Sequence, residues 1–504
     1  MNLTLYNLSV CLVVASGGFA YGFGFASFST SIGQPGFYKY FNLDPNSSYT
    51  ASVLGATSSL FAVGAGIGAI LQGFLADWVG RKRALLIAAL ISLIGAAWTA
   101  GSPYLAMFIT IRLLHGLGLG IVVCLSVVYI IEVAPPHRRG MLGSVNVFSM
   151  ACGYVGLGWI SVGCYHAKNE TVQWRLPLAL STVGPLLLLI GCIFIPESPR
   201  YLCWVGRNEE ALTILKRLHA DPRDPDDSSA KAEYIQIARQ VEHDKELNTG
   251  YIGMLKKPSW RRRSFLAFGV MFASQATGSL VLNQINGAAA FLVLIFSNLG
   301  MTGDMPLILN ATYTTVGTVG VVVVGLFVID RMGRRLSFLI GFPGVAACLL
   351  AEAMLQRTYL DGDNKAGNSA AVFFVFMFVI FYQFIDAASF VYTAEIFPTT
   401  IRARGMGISM CGYFVGFITF ATPAPTALQT IKWGWYLVFA GLSLICEVLF
   451  YFFLPETRLK SLEELGALFG DMVVVHLTDD GRGIVEKPEG LEVEEVELRH
   501  VDEK

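Results

Sequence analysis

Charge is what this 504-residue chain has least of: Asp, Glu, Lys and Arg make up 14% of it, against about 25% in soluble domains. The charge is also unevenly spread. Residues 196–263 hold 13 Lys/Arg and 11 Asp/Glu, and residues 455–504 hold 6 and 14, which leaves 29 of the 73 charged side chains for the other 386 residues. A body this poor in charge, with mean hydropathy +0.57, cannot keep a soluble surface. The net charge of −1 gives no electrostatic footprint for nucleic acid. The 9 cysteines form no CxxC pair, which speaks against a disulfide scaffold or a metal centre. No basic residue precedes Lys39, so a cleavable leader is not expected and the first apolar run is read as a retained span. No phosphate loop or catalytic constellation is visible, so neither an enzyme nor a cofactor is expected.

What the chain does have is long apolar runs. A helix needs about 20 apolar residues to cross the hydrocarbon core. Twelve runs qualify: 8–30, 51–76, 84–101, 104–131, 141–165, 175–195, 264–290, 307–329, 336–356, 370–394, 404–428 and 433–454. They are too long and too little alternating for a β-barrel. Glycine is frequent in them, as at Gly64, Gly68, Gly116 and Gly120, where small residues allow close helix approach in a bilayer.

Orientation follows from Lys/Arg placement. With the N-terminus inside, Arg81-Lys82-Arg83, Arg138-Arg139, Arg331/Arg334/Arg335, Arg402/Arg404, the central loop and the tail put 29 basic residues inside and 6 outside. Only Arg112 lies within a span. Both termini are therefore expected in the cytoplasm. The glycosylation sequons at Asn46 and Asn169 fall in expected outside loops.

The chain repeats itself. DWVGRKR (77–83) returns as DRMGRR (330–335), YIIEVAPPHRRG (129–140) as YTAEIFPTTIRARG (392–405), and PESPR at Pro196 as PET at Pro455. Three motif pairs keep one order and nearly one offset. This implies a duplicated six-helix unit: a first half over 1–195, a linker with short helices over 196–263, a second half over 264–454, and an acidic tail over 455–504, read as solvated and without structure after Gly470. Parallel repeats of this kind are the architecture of rocking transporters with a site between the halves.

These motifs, with GFLADWVGRKR (Gly73–Arg83) and RLLHGLGLG (Arg112–Gly120), resemble the sugar porter family of the major facilitator superfamily, particularly its fungal members, over roughly residues 10–460. The resemblance implies an all-α polytopic fold of twelve transmembrane helices in two pseudo-twofold-related halves. It implies a plasma-membrane carrier, functional as a monomer in the lipid bilayer, that moves a sugar, polyol or related metabolite by alternating access, as a facilitator or coupled to H+. The repeated charges Asp77, Arg81, Glu132, Arg139 and Glu197, and Asp330, Arg334, Arg335, Glu395, Arg402 and Glu456, read as a gating network at the cytoplasmic ends of the two halves. Paired acids and bases there can latch that side shut, which topology alone does not require.

The family's polar substrate contacts are thinned. Ser274, Gln275, Asn283, Gln284, Phe390, Asp386 and Arg112 are the candidate substrate-binding residues. The position of the span-five glutamine is Val147, that of the span-seven asparagine is Leu280, that of the span-ten tryptophan is Phe390, and the span-eleven Asn-Trp is Tyr413-Phe414. Gly24 stands where proton-coupled members carry an aspartate. Asp386 is one turn from Phe390 and shares its helix face, which makes it a candidate proton carrier. Glu447 is read as structural and His115 as packed. These departures keep two alternatives open: a carrier of a less polar metabolite such as a quinate-like acid, and a non-transporting nutrient sensor.

Overall fold

The computed structural model describes residues 4–44, 47–135, 139–220, 227–246, 250–279, 303–359, 365–398, 401–458, 468–470, 475–477 and 484–486. Ten of the described helices are long and apolar enough to cross a membrane. Two further helices, Pro258–Ala276 and Arg402–Ala421, supply the seventh and eleventh of twelve spans. Span one is Leu5–Ile32, span two Ser48–Val79, span three Arg81–Gly101, span four Leu105–Val133 and span five Arg139–Tyr165. Span six is broken into Glu170–Leu180 and Val183–Phe194, each piece with its own proline, Pro177 and Pro185. Span eight is Met305–Val323, continued through a π-helical turn, Val324–Val328, into Ile329–Met332. Spans nine, ten and twelve are Arg334–Tyr359, Lys365–Glu395 and Gly434–Phe453.

Four glycines set a close helix approach in the first half. A Cβ at Gly64 would stand 2.0 Å from the Leu113 carbonyl oxygen, and one at Gly68 2.2 Å from that of Leu117. From the other helix, a Cβ at Gly116 would stand 2.1 Å from the Phe61 carbonyl oxygen and one at Gly120 2.1 Å from that of Ala65. Spans two and four therefore meet backbone to backbone along paired small-xxx-small stripes, which gains dispersion contacts where lipid supplies no hydrophobic drive.

The two halves touch along two seams. On one, span two meets span eleven: Ser59 and Thr422 share a hydrogen bond of 2.6 Å, and Gln72 Nε2 donates to the Ala403 carbonyl. On the other, span five meets span eight: Trp159 Nε1 donates to Thr315 Oγ1 at 3.1 Å, and His166 pairs with Asp304 at 3.2 Å.

Between the halves runs a helical linker: Pro199–Val205, Asn208–Leu218, Ser228–Glu246 and Tyr251–Lys256. It has a small core of Leu202, Cys203, Ala211 and Val241. It is tied to the first half, since Thr4 Oγ1 donates to the Leu218 carbonyl and Tyr251 Oη to that of Ile70. The expectation of a structureless tail is corrected in one place: Val475–Leu477 pairs antiparallel with Ile484–Glu486.

Candidate functional site

At the linker end, the duplicated motifs fold into two matching clusters. Spans three and nine each start directly after a glycine with positive φ, Gly80 at 95° and Gly333 at 98°. Neither helix has a side-chain cap of its own. A distant glutamate takes that role in each half. Glu197 Oε1 accepts the backbone N–H groups of Arg81 (2.9 Å) and Lys82 (3.0 Å). Glu456 accepts those of Arg334 and Arg335, both at 3.0 Å. A carboxylate on the free N–H groups of a helix N-terminus satisfies them and complements the helix dipole. Burial pushes the Glu197 carboxyl up, and the backbone donors and Arg81 pull it back.

The arginines behind each cap are held by a second glutamate. Arg81 Nε pairs with Glu132 Oε2 at 3.1 Å, and Ser198 Oγ donates to the same oxygen. Arg334 Nη2 pairs with Glu395 Oε1 at 2.7 Å, and Thr457 Oγ1 donates to Glu395 Oε2 at 3.1 Å. The side chains of Arg139 and Asp330 lie outside the described set.

An ion pair crosses between the clusters. Asp77 pairs with Arg81 within its own half at 3.4 Å and with Arg404 of span eleven at 2.5 Å. The sequence-derived network contains Arg402 instead, whose Nη2 donates to the Phe397 carbonyl of its own half. Residues two apart point to roughly opposite sides of a helix, so only one of the pair can face span two.

Between the halves lies a cavity lined from both. Tyr21, Val147, Met150, Ala151 and Tyr154 come from spans one and five; Gly317, Thr318, Val321, Asp386, Phe390 and Tyr413 come from spans eight, ten and eleven. The space open to the centre of a water is about 20 Å³, room for one or two waters. Three positions where the chain departs from the family pattern, Val147, Phe390 and Tyr413, all line it. Phe390 and Tyr413 pack with ring centroids 6.4 Å apart.

The polar part of the wall belongs mainly to the second half. Tyr382 Oη donates to Asp386 Oδ1 at 3.2 Å. Gln275 Nε2 donates to Ser274 Oγ at 3.0 Å. Buried atoms without a partner include Tyr21 Oη, Gln275 Oε1 and both amide atoms of Gln383. Of the candidate substrate contacts, Phe390 and Asp386 line the cavity, and Gln275 and Ser274 are buried outside its wall. Asn283, Gln284 and the Leu280 position fall outside the described residues, as does Asn46. Asn169 is exposed and caps the helix that follows it.

Arg112 is placed elsewhere. It is 1% exposed, its guanidinium lies over the rings of Phe61 (4.4 Å) and Phe28 (5.1 Å), and Nη1 stands 3.5 Å from His115 Nδ1. A Cβ at Gly24 would come within 3.1 Å of His115 Nε2, so the missing span-one aspartate would have sat beside this pair. Sequence reasoning passed over Tyr21, Tyr154, Tyr382, Gln383 and Glu352. Glu352 is 1% exposed in span nine and accepts from Gln356 Nε2 at 2.8 Å, which also reaches Tyr436 Oη at 2.9 Å. The i, i+4 pair Glu352–Gln356 was its only sequence signal.

The family description "Sugar (and other) transporter" matches residues 10–469. Among relatives, the chain is 29% identical over 478 residues to the MFS-type transporter criB of Aspergillus cristatus, covering 94% of this chain and 96% of that one. It is 30% identical to the low-affinity glucose transporter HXT4 of Saccharomyces cerevisiae, covering 92% and 81%. Among solved structures, the proton:xylose symporter XylE bound to 6-bromo-6-deoxy-D-glucose superposes with a TM-score of 0.77 at 24% identity, covering 92% and 99%. The inward-open XylE of E. coli gives 0.70 at 23%, covering 92% and 100%. With its twelve spans in two halves, a cavity between them and the family's motifs at the linker end, the chain belongs to the Sugar (and other) transporter family and is a membrane carrier of the major facilitator fold.

Proposed function

We propose that this protein moves a sugar or related polyhydroxy small molecule across the plasma membrane by alternating access, as a monomer with both termini in the cytoplasm. The observation that carries the substrate reading is the hydrogen bond from Tyr382 to the cavity-wall carboxylate Asp386, with the unpaired Tyr21 hydroxyl on the same wall. A hydroxyl-rich solute satisfies such atoms, and leaving them unmade in a dry site is costly. The name of the yeast relative, a glucose transporter, supports the same class. The linker-end clusters serve as the gate: Asp77–Arg404 holds the halves together on that side, and its release opens the cavity there.

Transport in this reading is facilitated rather than proton-driven. Span one carries Gly24 in place of an acid, and the Arg112 charge rests on two phenylalanine rings. A second substrate reading, a less polar metabolite, is favoured by Val147, Met150, Val321 and Phe390 on the cavity wall. Uptake by a transporter-null host across labelled hexoses, pentoses, polyols and cyclic acids separates the two. Saturable hexose or polyol uptake that stops at the outside concentration, unchanged when the proton gradient is collapsed, is the expected result. Uptake confined to the cyclic acids would move the assignment to the second reading.

A further inference from the structure

Asp386 is a carboxylate without a counter-cation. Among the described residues no lysine, arginine or histidine is ion-paired with it. Its one hydrogen-bond donor there is the Tyr382 hydroxyl. The sequence offers no substitute: Arg112 is the one arginine or lysine deep inside a span, and it is engaged with Phe28, Phe61 and His115, none of which lines the cavity. Residues 280–302 contain no basic side chain. A buried carboxylate is ordinarily paired or coordinated, and this one faces the cavity that the carrier reading makes the substrate site.

Its surroundings suit one kind of partner. Tyr21, Tyr154 and Tyr413 share the cavity wall with Asp386 and Phe390. The Tyr21 hydroxyl is buried and without a partner, a second polar atom available to a bound ligand. Aromatic faces attract a cation through the ring quadrupole, most strongly where water is excluded. A carboxylate beside several rings thus supplies both a charge partner and a sheath for an ammonium group. The apolar positions Val147, Met150 and Val321 leave the rest of the ligand an unpolar surface.

We infer that the substrate carries a protonated amine on a compact, partly apolar body, with the amine seated against Asp386. This rests on the carrier reading and narrows it: within the sugar class it selects amino sugars over neutral hexoses, and within the less polar class it selects amines over acids. Transport is then an exchange of a water-solvated ammonium for one paired with Asp386, with no covalent step.

The test uses the full chain, purified in nanodiscs, and two matched pairs of probes: glucosamine against glucose, and tryptamine against its alcohol twin indole-3-ethanol. Within each pair the amine is expected to bind at least about tenfold more tightly, which is 1.4 kcal/mol. Asp386→Asn is expected to remove that preference, so that amine and alcohol bind alike within each pair, and Asp386→Glu to keep part of it. Equal binding within both pairs, amine preference that survives in Asp386→Asn, or no binding of either amine at millimolar concentration would each overturn the inference. Counterflow in liposomes with the same four probes and the neutral sugars separates the two levels. Exchange of neutral solutes alone leaves the carrier reading standing and removes the cation. Exchange of nothing in a panel extended to polyols and cyclic acids removes both.

Discussion

Gly80 and Gly333 show how much one residue decides. Each has a positive φ, and a Cβ would come within 2.5 Å of Glu197 Oε2 at the first and 2.7 Å of Glu456 Oε2 at the second. Substituting alanine forces a left-handed backbone on a residue with a side chain, at about 1–3 kcal/mol, and displaces the carboxylate that caps the next span. Gly80→Ala and Gly333→Ala are both expected to lower the thermal midpoint of the purified protein and to cut transport. Equal effects in the two halves would reflect the equivalence of the two clusters, and a silent variant in either half would show that its cap is dispensable. Gly24 makes a different point. An added carboxylate there would meet His115, whose Nε2 has no partner, so Gly24→Asp is expected to fold. Gly24→Leu adds bulk against Leu119, 2.6 Å from the Cβ position, and overpacking of this kind costs about 1–3 kcal/mol. Comparing the melting of the two variants checks this: Gly24→Asp should melt the higher of the two.

Among the elements, the span two–span four seam and span ten carry the most weight. Four glycines bring the first pair into backbone contact, so a side chain at Gly116 or Gly120 has to push a helix away rather than rotate a neighbour. Gly116→Val is expected to prevent delivery to the membrane, whereas Gly143→Val is expected to be delivered normally, because a Cβ at Gly143 meets nothing within 4 Å. Surface labelling in intact cells reads both. Span ten runs unbroken for 31 residues; with no proline and only Gly367 near its start, nothing in it favours a bend. The irregularity next to the cavity is instead the π-helical turn of span eight, which follows Gly317, Thr318 and Val321 of the wall. Most span boundaries were legible in advance to within about five residues because bilayer thickness fixes run length; the exceptions are span seven, expected over 264–290, whose described helix is Pro258–Ala276, and span eleven, expected to 428, which ends at Ala421. The π turn was not legible, because its i→i+5 bonds leave no mark on hydropathy.

For the whole molecule, the question is what holds the halves in register. Asp77–Arg404 is an ion pair that crosses at the linker end, partly buried on both sides. Breaking it is expected to shift the closed-to-open balance by about 1–2 kcal/mol, between the values for surface and buried pairs, or about tenfold in population. Arg404→Ala should increase linker-side access of a cysteine introduced at Thr318. The exchange Asp77→Arg with Arg404→Asp should restore protection in part, while no change in access for Arg404→Ala would leave these charges a purely structural role. Orientation is tested at the same scale. Tags at either end are expected to resist protease in intact cells, and cleavage of a C-terminal tag from outside would reverse the topology.

The sequence by itself determined the number of spans, the duplicated half and the family, because each rests on a local signal: an apolar run of bilayer length, or a motif returning in order at one offset. It also placed both charge sets at one end, because each follows an even-numbered span. Only the tertiary structure decided how those residues meet. Glu197 caps a helix that starts 116 residues earlier in the chain, and Arg404 rather than Arg402 reaches Asp77, a choice set by helix rotation. The cavity wall is the furthest from local reading. Tyr21, Tyr154, Asp386 and Tyr413 lie on four spans, and a tyrosine in an apolar run looks the same from sequence whether it faces lipid, a neighbouring helix or a substrate. Helix packing alone brings their rings around one carboxylate.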